Sequence, residues 1–457
     1  MAAGATARPP VALVQLPFPS QTTPLEELER YYELYMREYL GVFPDYGVGT
    51  GDLWELPLWV AHLDGALGRD DTSFVDLSRA RPDAEECASQ IRDATRGDEI
   101  LFFSPLTQNF PLARAVSRSL RREGRRTAVG GNMAGLADIR DFTWVHVGQA
   151  GTGLYEELVG SPEGRVGTTP VPGRHHSPLS YRPRYRLLDG FRDRVPLLRL
   201  HASHGCLFSC TFCGDAWTKQ LHEVRPSDLA AELDELQRRF PRTRLLYVGD
   251  KTFGQSRAAV AALLGVVAPE YGYRVIVQTH IATVSPKLVA DMVALGVEVV
   301  ELGFETANSA VLRELLKGRR TNEILDRAVE LLDDAGLRVV LNVLGGLPNE
   351  TAATHRETLD AIAAIGDRVW LYNLYNFVPY PKTPMFPSIR GRIVDWDFTH
   401  WREDRPVVFV PYHQSREEAW EQFLGVVDAS AATLAERRRA RNDTLVPDEL
   451  VDCAPVR

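Results

Sequence analysis

Hydrophobic positions along the chain alternate between two periods. Short β-branched or aliphatic runs, VALVQLP (11–17), SFVDLS (73–78), EILFFSP (99–105), RTAVGGN (126–132) and TWVHVG (143–148), read as buried strands. Between them, DAEECASQIRDAT and PLARAVSRSLRREG carry helical spacing and close near a glycine or a basic residue. Strand, helix, strand in succession requires a parallel sheet with covered faces. The stretch 160–195, rich in Pro, Gly and Arg with a pair of histidines, breaks the rhythm and reads as an interdomain linker, drawn at 166–195. A second series then predicts strands at 197–203, 243–248, 273–279, 297–304, 337–345 and 369–378, with helical patterns between them. Six βα units in a row suit a barrel or partial barrel, whose active site gathers at the C-terminal ends of its strands. The expected class is α/β: one parallel domain over 1–165, a partial (β/α)6 barrel over 196–388, and a mostly helical segment over 389–457. That segment ends in a long amphipathic helix expected to cover the barrel.

Composition adds exclusions. At 457 residues, with 44% hydrophobic and 25% charged residues, the chain has the makeup of a multidomain enzyme rather than of a fibrous or disordered protein. A net charge of −9 argues against nucleic acid as a partner, and the clusters Arg121, Arg122, Arg125, Arg126 and Arg437, Arg438, Arg439, Arg441 read as solvated helix ends. MAAGATARPP has no apolar run suited to a signal peptide, and nowhere do about eighteen apolar residues follow one another. The expectation is a cytoplasmic protein without a membrane partner. GVGTGD (47–52) lacks a preceding strand and reads as a turn rather than a dinucleotide loop.

Five cysteines in so long a chain are no disulfide framework, and three of them crowd into CLFSCTFC as Cys206, Cys210 and Cys213, with Cys87 and Cys453 far away. Clustered thiolates select zinc or an iron–sulfur cluster. Closed zinc coordination needs a fourth ligand, for which His204 is the candidate. A cubane held by three thiolates instead keeps one iron open to a substrate.

CxxxCxxC with an aromatic, Phe212, before its last cysteine resembles the signature of the radical S-adenosylmethionine (SAM) superfamily, and the resemblance runs through 197–385. It implies a partial TIM barrel and a [4Fe–4S] cluster on Cys206, Cys210 and Cys213. That cluster would bind SAM and cleave it to a 5′-deoxyadenosyl radical. YVGDKTFG matches the family's second-strand motif, which implies Gly249 and Asp250 at the SAM amino group. VELGFETANSAVLRELLKG resembles the fourth-strand stretch and brings Glu305; LNVLGGLPNET resembles the fifth and brings Asn342; FVPYPKTPMFP resembles the Pro-Gly-Thr-Pro segment and brings Val378. Gln278 and Thr279, ending the third strand, are implied at the SAM carboxylate or ribose. Gly345 and Gly346 read as backbone room near adenine or substrate. His204, His280 and Tyr375 are candidates to face substrate, His204 and His280 standing where the family often has arginine.

The first domain resembles Rossmann-like cobalamin-binding domains. Ser104 and Leu106 of SPL, then Gly130, Gly131 and Asn132 of GGN, match their Ser-x-Leu and Gly-Gly elements, and WVHVGQAGTGLYEEL, with Gly148, resembles a Gly-Glu-Gly-Glu-x-x-Leu stretch in which Gln149 and Thr152 replace both acids. No Asp-x-His-x-x-Gly occurs between residues 40 and 75, so no histidine is offered to cobalt from below, a loss common in the radical SAM branch. The resemblance implies a cobalamin-dependent C-methyltransferase acting on an unactivated carbon of a small molecule or peptide, in specialised metabolism, with an external electron donor. It also leaves room for a radical SAM enzyme with a non-methylating outcome. A zinc protein without turnover is the alternative from the thiols alone.

Overall fold

The computed structural model describes residues 8–18, 25–46, 55–167, 179–214, 220–317 and 322–440. The turn expected at 47–52, the histidine pair 175–176, Arg441 and Cys453 lie outside them. The described residues fall into two compact units, one from 8–18, 57–167 and 179–190, the other from 25–46, 55–56 and everything described after 190.

The first unit holds a parallel sheet of β1 (Val11–Gln15), β2 (Ser73–Asp76), β3 (Ile100–Phe103), β4 (Arg126–Val129), β5 (Trp144–Val147) and β6 (Gly164–Gly167), in the order β2-β1-β3-β4-β5-β6. Strands β1, β3 and β5 are buried along their whole length, as continuous aliphatic runs between helical layers must be. The order reverses between β1 and β3, the switch point at which open α/β sheets bind ligands. Strand β6 lies in the stretch read from the sequence as linker. Its ends are glycines with φ of 138° and 82°, and a Cβ on Gly167 would stand 2.4 Å from the Val147 carbonyl oxygen, so close approach to β5 demands residues that read as loop. Further along that stretch, Arg186 reaches the fully buried Asp64 at 2.6 Å and fastens residues 179–190 to this unit. The arginines at and just past the end of helix Phe110–Arg122 donate to loop carbonyls, Arg121 to Arg140 and Arg125 to Arg96, in keeping with helix-end positions.

The second unit holds β7 (Leu197–Leu200), a small antiparallel pair of β8 (Ser203–Gly205) and β9 (Leu221–Glu223), then β10 (Leu245–Val248), β11 (Arg274–His280), β12 (Val297–Glu305), β13 (Arg338–Gly345) and β14 (Leu371–Asn376). Except for the small pair these form one parallel sheet in the order β14-β13-β12-β11-β10-β7, a partial (β/α)6 arrangement with each strand beside its predecessor. All six expected strands are present; the β8–β9 pair, of three residues each, is too short to leave a periodic signal.

Register places Arg199, Tyr247, Gln278, Glu301, Asn342, Asn373 and Tyr375 on one face of this sheet. That face is polar. Tyr247 donates to Glu301 at 2.7 Å with Gln278 3.2 Å from the same hydroxyl, Arg199 pairs with Glu55 at 2.7 Å, and the Asn373 amide donates to Asn342 at 2.9 Å. Helix Glu26–Val42 lies against it: the Tyr35 hydroxyl donates to Asn373 at 3.0 Å, and Tyr39 stacks on Trp370. The opposite face is aliphatic, with Leu198, Leu246, Val277, Val300 and Leu341 buried. Helix Arg416–Ala440 buries Ala419, Phe423, Val427, Ala431 and Leu434 on one side, against helices Glu26–Val42 and Ala352–Ile365 and strands β13 and β14. Arg437 near its end donates to the carbonyls of Val369 and Trp370. No described helix is long and apolar enough to cross a membrane.

Candidate active site

The cysteine loop begins where β7 ends, and it is held from several sides. Asp250, just past β10, accepts from the amides of Ala202 and Ser203 at 2.8 and 3.1 Å and from the Ser203 hydroxyl at 2.5 Å. Burial raises its carboxyl above the usual range, and these donors from Ser203 and Ala202 pull the other way. Asp250 was expected to meet the SAM amino group; its two oxygens are spent on the approach to Cys206, so its place is that of a clamp. Further along, Thr211 donates its amide to Leu315 and accepts from Met385, at 2.9 and 3.0 Å, which ties the loop to the connections after β12 and β14. Phe208 stacks on His280 with ring centres 4.2 Å apart.

His204, the candidate fourth ligand of a closed zinc site, stacks on His201. Burial pushes the Cys210 thiol up to about 11; the Lys317 ammonium opposes this, while Glu305, Cys213 and Cys206 add to it. Three adjacent thiolates there need a positive centre of larger span, which an iron–sulfur cluster provides.

Beside the thiols stands an ion pair that the sequence reading only half identified. Lys317 Nζ lies 3.1 Å from Glu305 Oε1, both side chains are largely buried, and the ammonium sits 5.8 Å from the Phe212 ring centre. Burial works against the Lys317 charge, but Glu305 and Cys210 outweigh it and raise its pKa. Among the described residues, Glu305 and Leu316 are the two non-glycines with positive φ, 59° and 51°. At Leu316 the left-handed turn closes helix Ser309–Glu314, the Leu316 amide donating to Arg313 and the Lys317 amide to Leu312, while at Glu305 it ends β12 beside the thiols at a backbone cost of about 1–3 kcal/mol. Gly303 leaves the room: a Cβ would meet Lys317 Nζ at 2.8 Å. Glu305 Oε2 is buried and accepts no hydrogen bond. An orphaned carboxylate oxygen beside an ammonium fits a ligand that brings both an amine or hydroxyl donor and a carboxylate, as SAM does.

The other expected residues divide. Gln278 belongs to the polar face, bonded to Tyr247, and Asn342 is bonded there to Asn373. Thr279 is turned away, its hydroxyl donating to the Phe253 carbonyl at 2.7 Å. Gly249 makes room for His201, whose Nε2 would stand 2.4 Å from a Cβ. Phe212 and Val378 meet in one apolar cluster with Phe377 and Leu347. His280 accepts from the Ala282 amide at Nδ1, so its Nε2 carries the proton and donates to the Lys317 carbonyl at 3.2 Å; it positions rather than faces outward. His204 lies opposite His222 in the β8–β9 pair, and Tyr375 lies on the polar face. Gly345 and Gly346 leave room for Phe423 and for Asn376 and Val407, protein neighbours in place of the expected ligand. Lys317, Gln255 and Glu301 escaped the sequence reading; the LLKG ending of the fourth-strand motif was the available signal for Lys317.

Glu350, in the loop after β13, is 2% exposed, and burial raises its carboxyl to about 7 against hydrogen bonds from the Leu347 and Gly346 amides. The folded state thus holds a proton that the unfolded chain releases near pH 4.5, so Glu350 costs stability as pH rises from about 4.5 through 7. Glu350→Gln is expected to raise the free energy of unfolding, measured by denaturant titration, little at pH 5 and progressively more up to pH 8, where the gain approaches about 3 kcal/mol. A gain independent of pH would contradict a buried, reluctantly ionised carboxyl.

In the first unit, Ser104, Leu106, Gly130, Gly131, Asn132 and Gly148 all fall just past the C-terminal ends of β3, β4 and β5. Gly130 donates its amide to Phe103, and a Cβ on it would strike the Phe102 ring at 2.9 Å. Gly131 has φ of 77°, and Ser104 Oγ would stand 2.7 Å from its Cβ. Leu106, 45% exposed, presents an apolar surface at the same edge. A glycine-lined shelf with an exposed apolar residue fits the flank of a large planar cofactor such as cobalamin.

Comparison with known proteins accords with both units. The radical SAM superfamily model matches residues 200–362. An anaerobic magnesium-protoporphyrin IX monomethyl ester cyclase of Rubrivivax gelatinosus is 21% identical over 419 residues, covering 81% of this chain and 73% of that protein. Among solved structures, the radical SAM methyltransferase TsrM of Kitasatospora setae, with cobalamin and a [4Fe–4S] cluster bound, aligns with a TM-score of 0.58 at 15% identity over 84% of this chain and 78% of its own. The cobalamin-dependent SAM radical enzyme OxsB aligns with a TM-score of 0.57 at 13% identity over 98% of this chain and 64% of its own. At such identities the structures establish a shared fold. Residues 200–362 constitute a domain of the radical SAM superfamily.

Proposed function

We propose that this radical SAM enzyme is a cobalamin-dependent C-methyltransferase acting on an unactivated carbon of a small molecule or peptide. The observation that carries the reading is the edge of the first sheet. There a strand order of β2-β1-β3-β4-β5-β6 brings Ser104, Leu106, Gly130 and Gly131 together with no room for a side chain on Gly131. Radical SAM chemistry needs an external electron donor; when bound, the cluster and SAM supply a carbon-centred radical and cobalamin supplies a methyl group. The protein's share is position. Cys206, Cys210 and Cys213 would hold the cluster, Glu305 would accept from the SAM amine or ribose, and Lys317 would meet its carboxylate. The polar face with Tyr375, Glu301 and Asn342 would receive the substrate. Burial raises the Glu301 carboxyl, with Tyr247 and Arg199 opposing.

The similarity to the cyclase, with Gln149 and Thr152 in place of the acids of the cobalamin motif, favours a second reading in which the radical leads to ring closure without methyl transfer. Methyl-deuterated SAM, supplied with the native metabolite pool under reducing anaerobic conditions, separates the two. Deuterium in a product supports methyl transfer; deoxyadenosine with a dehydrogenated or cyclised product and no label supports the other. Gly131→Ala places a side chain at positive φ and against Ser104, and is expected to lower the cobalamin retained through gel filtration about tenfold while leaving iron content unchanged. Unchanged cobalamin retention would remove the shelf from the account.

A further inference from the structure

The loop after β10 ends in Gly254, Gln255 and Ser256. Ser256 caps helix Arg257–Val266 by accepting from the Ala259 amide at 3.1 Å, and Gly254 has φ of 89° with Leu288 packed where a side chain would stand. Gln255 is thereby set against the cysteine loop. Its Oε1 accepts from the Leu207 amide at 2.8 Å, a donor that cannot reverse its role, so the side-chain amide has one orientation. In that orientation Nε2 donates to Cys206 Sγ at 3.3 Å. Thr252 Oγ1 is 3.8 Å from the same sulfur, but its proton goes to the Lys251 carbonyl at 2.8 Å.

We propose that Gln255 is a positioning residue that sets the reduction potential of the iron–sulfur cluster, through an N–H···S hydrogen bond to Cys206 and a simultaneous hold on the backbone of Leu207. Hydrogen bonds to a ligating sulfur draw off negative charge and favour the reduced cluster, whose potential governs how readily an electron reaches SAM. Because Gln255 and Cys206 come from different βα connections, the contact also couples the loop after β10 to the geometry of the thiols.

The inference rests on the radical SAM reading, and the test separates the two. The full chain, its Gln255→Glu variant and its Gln255→Met variant are reconstituted anaerobically, assayed for iron, and titrated by EPR-monitored reduction. Gln255→Glu keeps the acceptor for Leu207 while losing the N–H donor, so its cluster is expected to form with unchanged iron and a more negative midpoint potential. Gln255→Met, which loses both contacts, is expected to shift in the same direction by less, since it adds no charge. Proton ENDOR on the reduced wild-type cluster is expected to show an exchangeable coupled proton that vanishes in both variants. A Gln255→Glu cluster with full iron and the wild-type potential, or a wild-type cluster with no exchangeable coupled proton, overturns the inference. A wild-type chain that builds no iron–sulfur cluster would instead overturn the reading beneath it.

Discussion

Cys210→Ala is expected to lower reductive cleavage of SAM by at least about a hundredfold, since even the partners of metal ligands are worth 10–100-fold. Cys210 is the most buried of the three thiols, 7% exposed, and lies between the segments that Thr211 ties to Leu315 and Met385. Its removal takes away a ligand that no neighbouring side chain can replace. Cys87→Ala is the matched control: that thiol is buried in helix Ala84–Ala94 of the other unit and should leave iron content and SAM cleavage unchanged. Equal activity in Cys210→Ala and wild type would place the chemistry elsewhere.

The second large effect concerns the ion pair. Lys317→Met leaves the buried Glu305 carboxylate without its partner, which typically costs about 3–5 kcal/mol. Glu305→Gln combined with Lys317→Met removes both charges and should recover most of that stability, measured by denaturant unfolding. If the pair serves SAM, the double variant stays stable yet binds SAM at least about tenfold more weakly in equilibrium dialysis. Restored stability together with wild-type SAM affinity would make the pair a structural element only.

Much of this architecture was legible because parallel strands buried on both faces write themselves as uninterrupted aliphatic runs. VALVQ and ILFF stand out against the helical spacing around them, and each became a strand. Strand β6 was hidden by its glycines, which close packing against Val147 requires but which read as a loop. The cysteine loop was legible from spacing alone, since ligand geometry demands that spacing. What surrounds it was not. Asp250 sits where a motif position would put it, yet whether its oxygens face Ser203 or a ligand depends on how β7 and β10 align. Gln255 and Lys317 reach the thiols from connections distant in sequence, so no local pattern announces them. The polar face built by Arg199, Tyr247, Glu301 and Asn373 was obscured for the same reason: single polar residues inside aliphatic strands align into a band only once the register is known.

A site-differentiated iron–sulfur cluster on Cys206, Cys210 and Cys213 is expected to bind SAM directly. The decisive experiment is EPR of the anaerobically reconstituted, dithionite-reduced protein, recorded before and after adding SAM. The expected result is the signal of a reduced [4Fe–4S] cluster whose g values move when SAM is added, with the signal absent in the Cys210→Ala variant. A colourless protein carrying zinc, or a cluster signal indifferent to SAM, would contradict it.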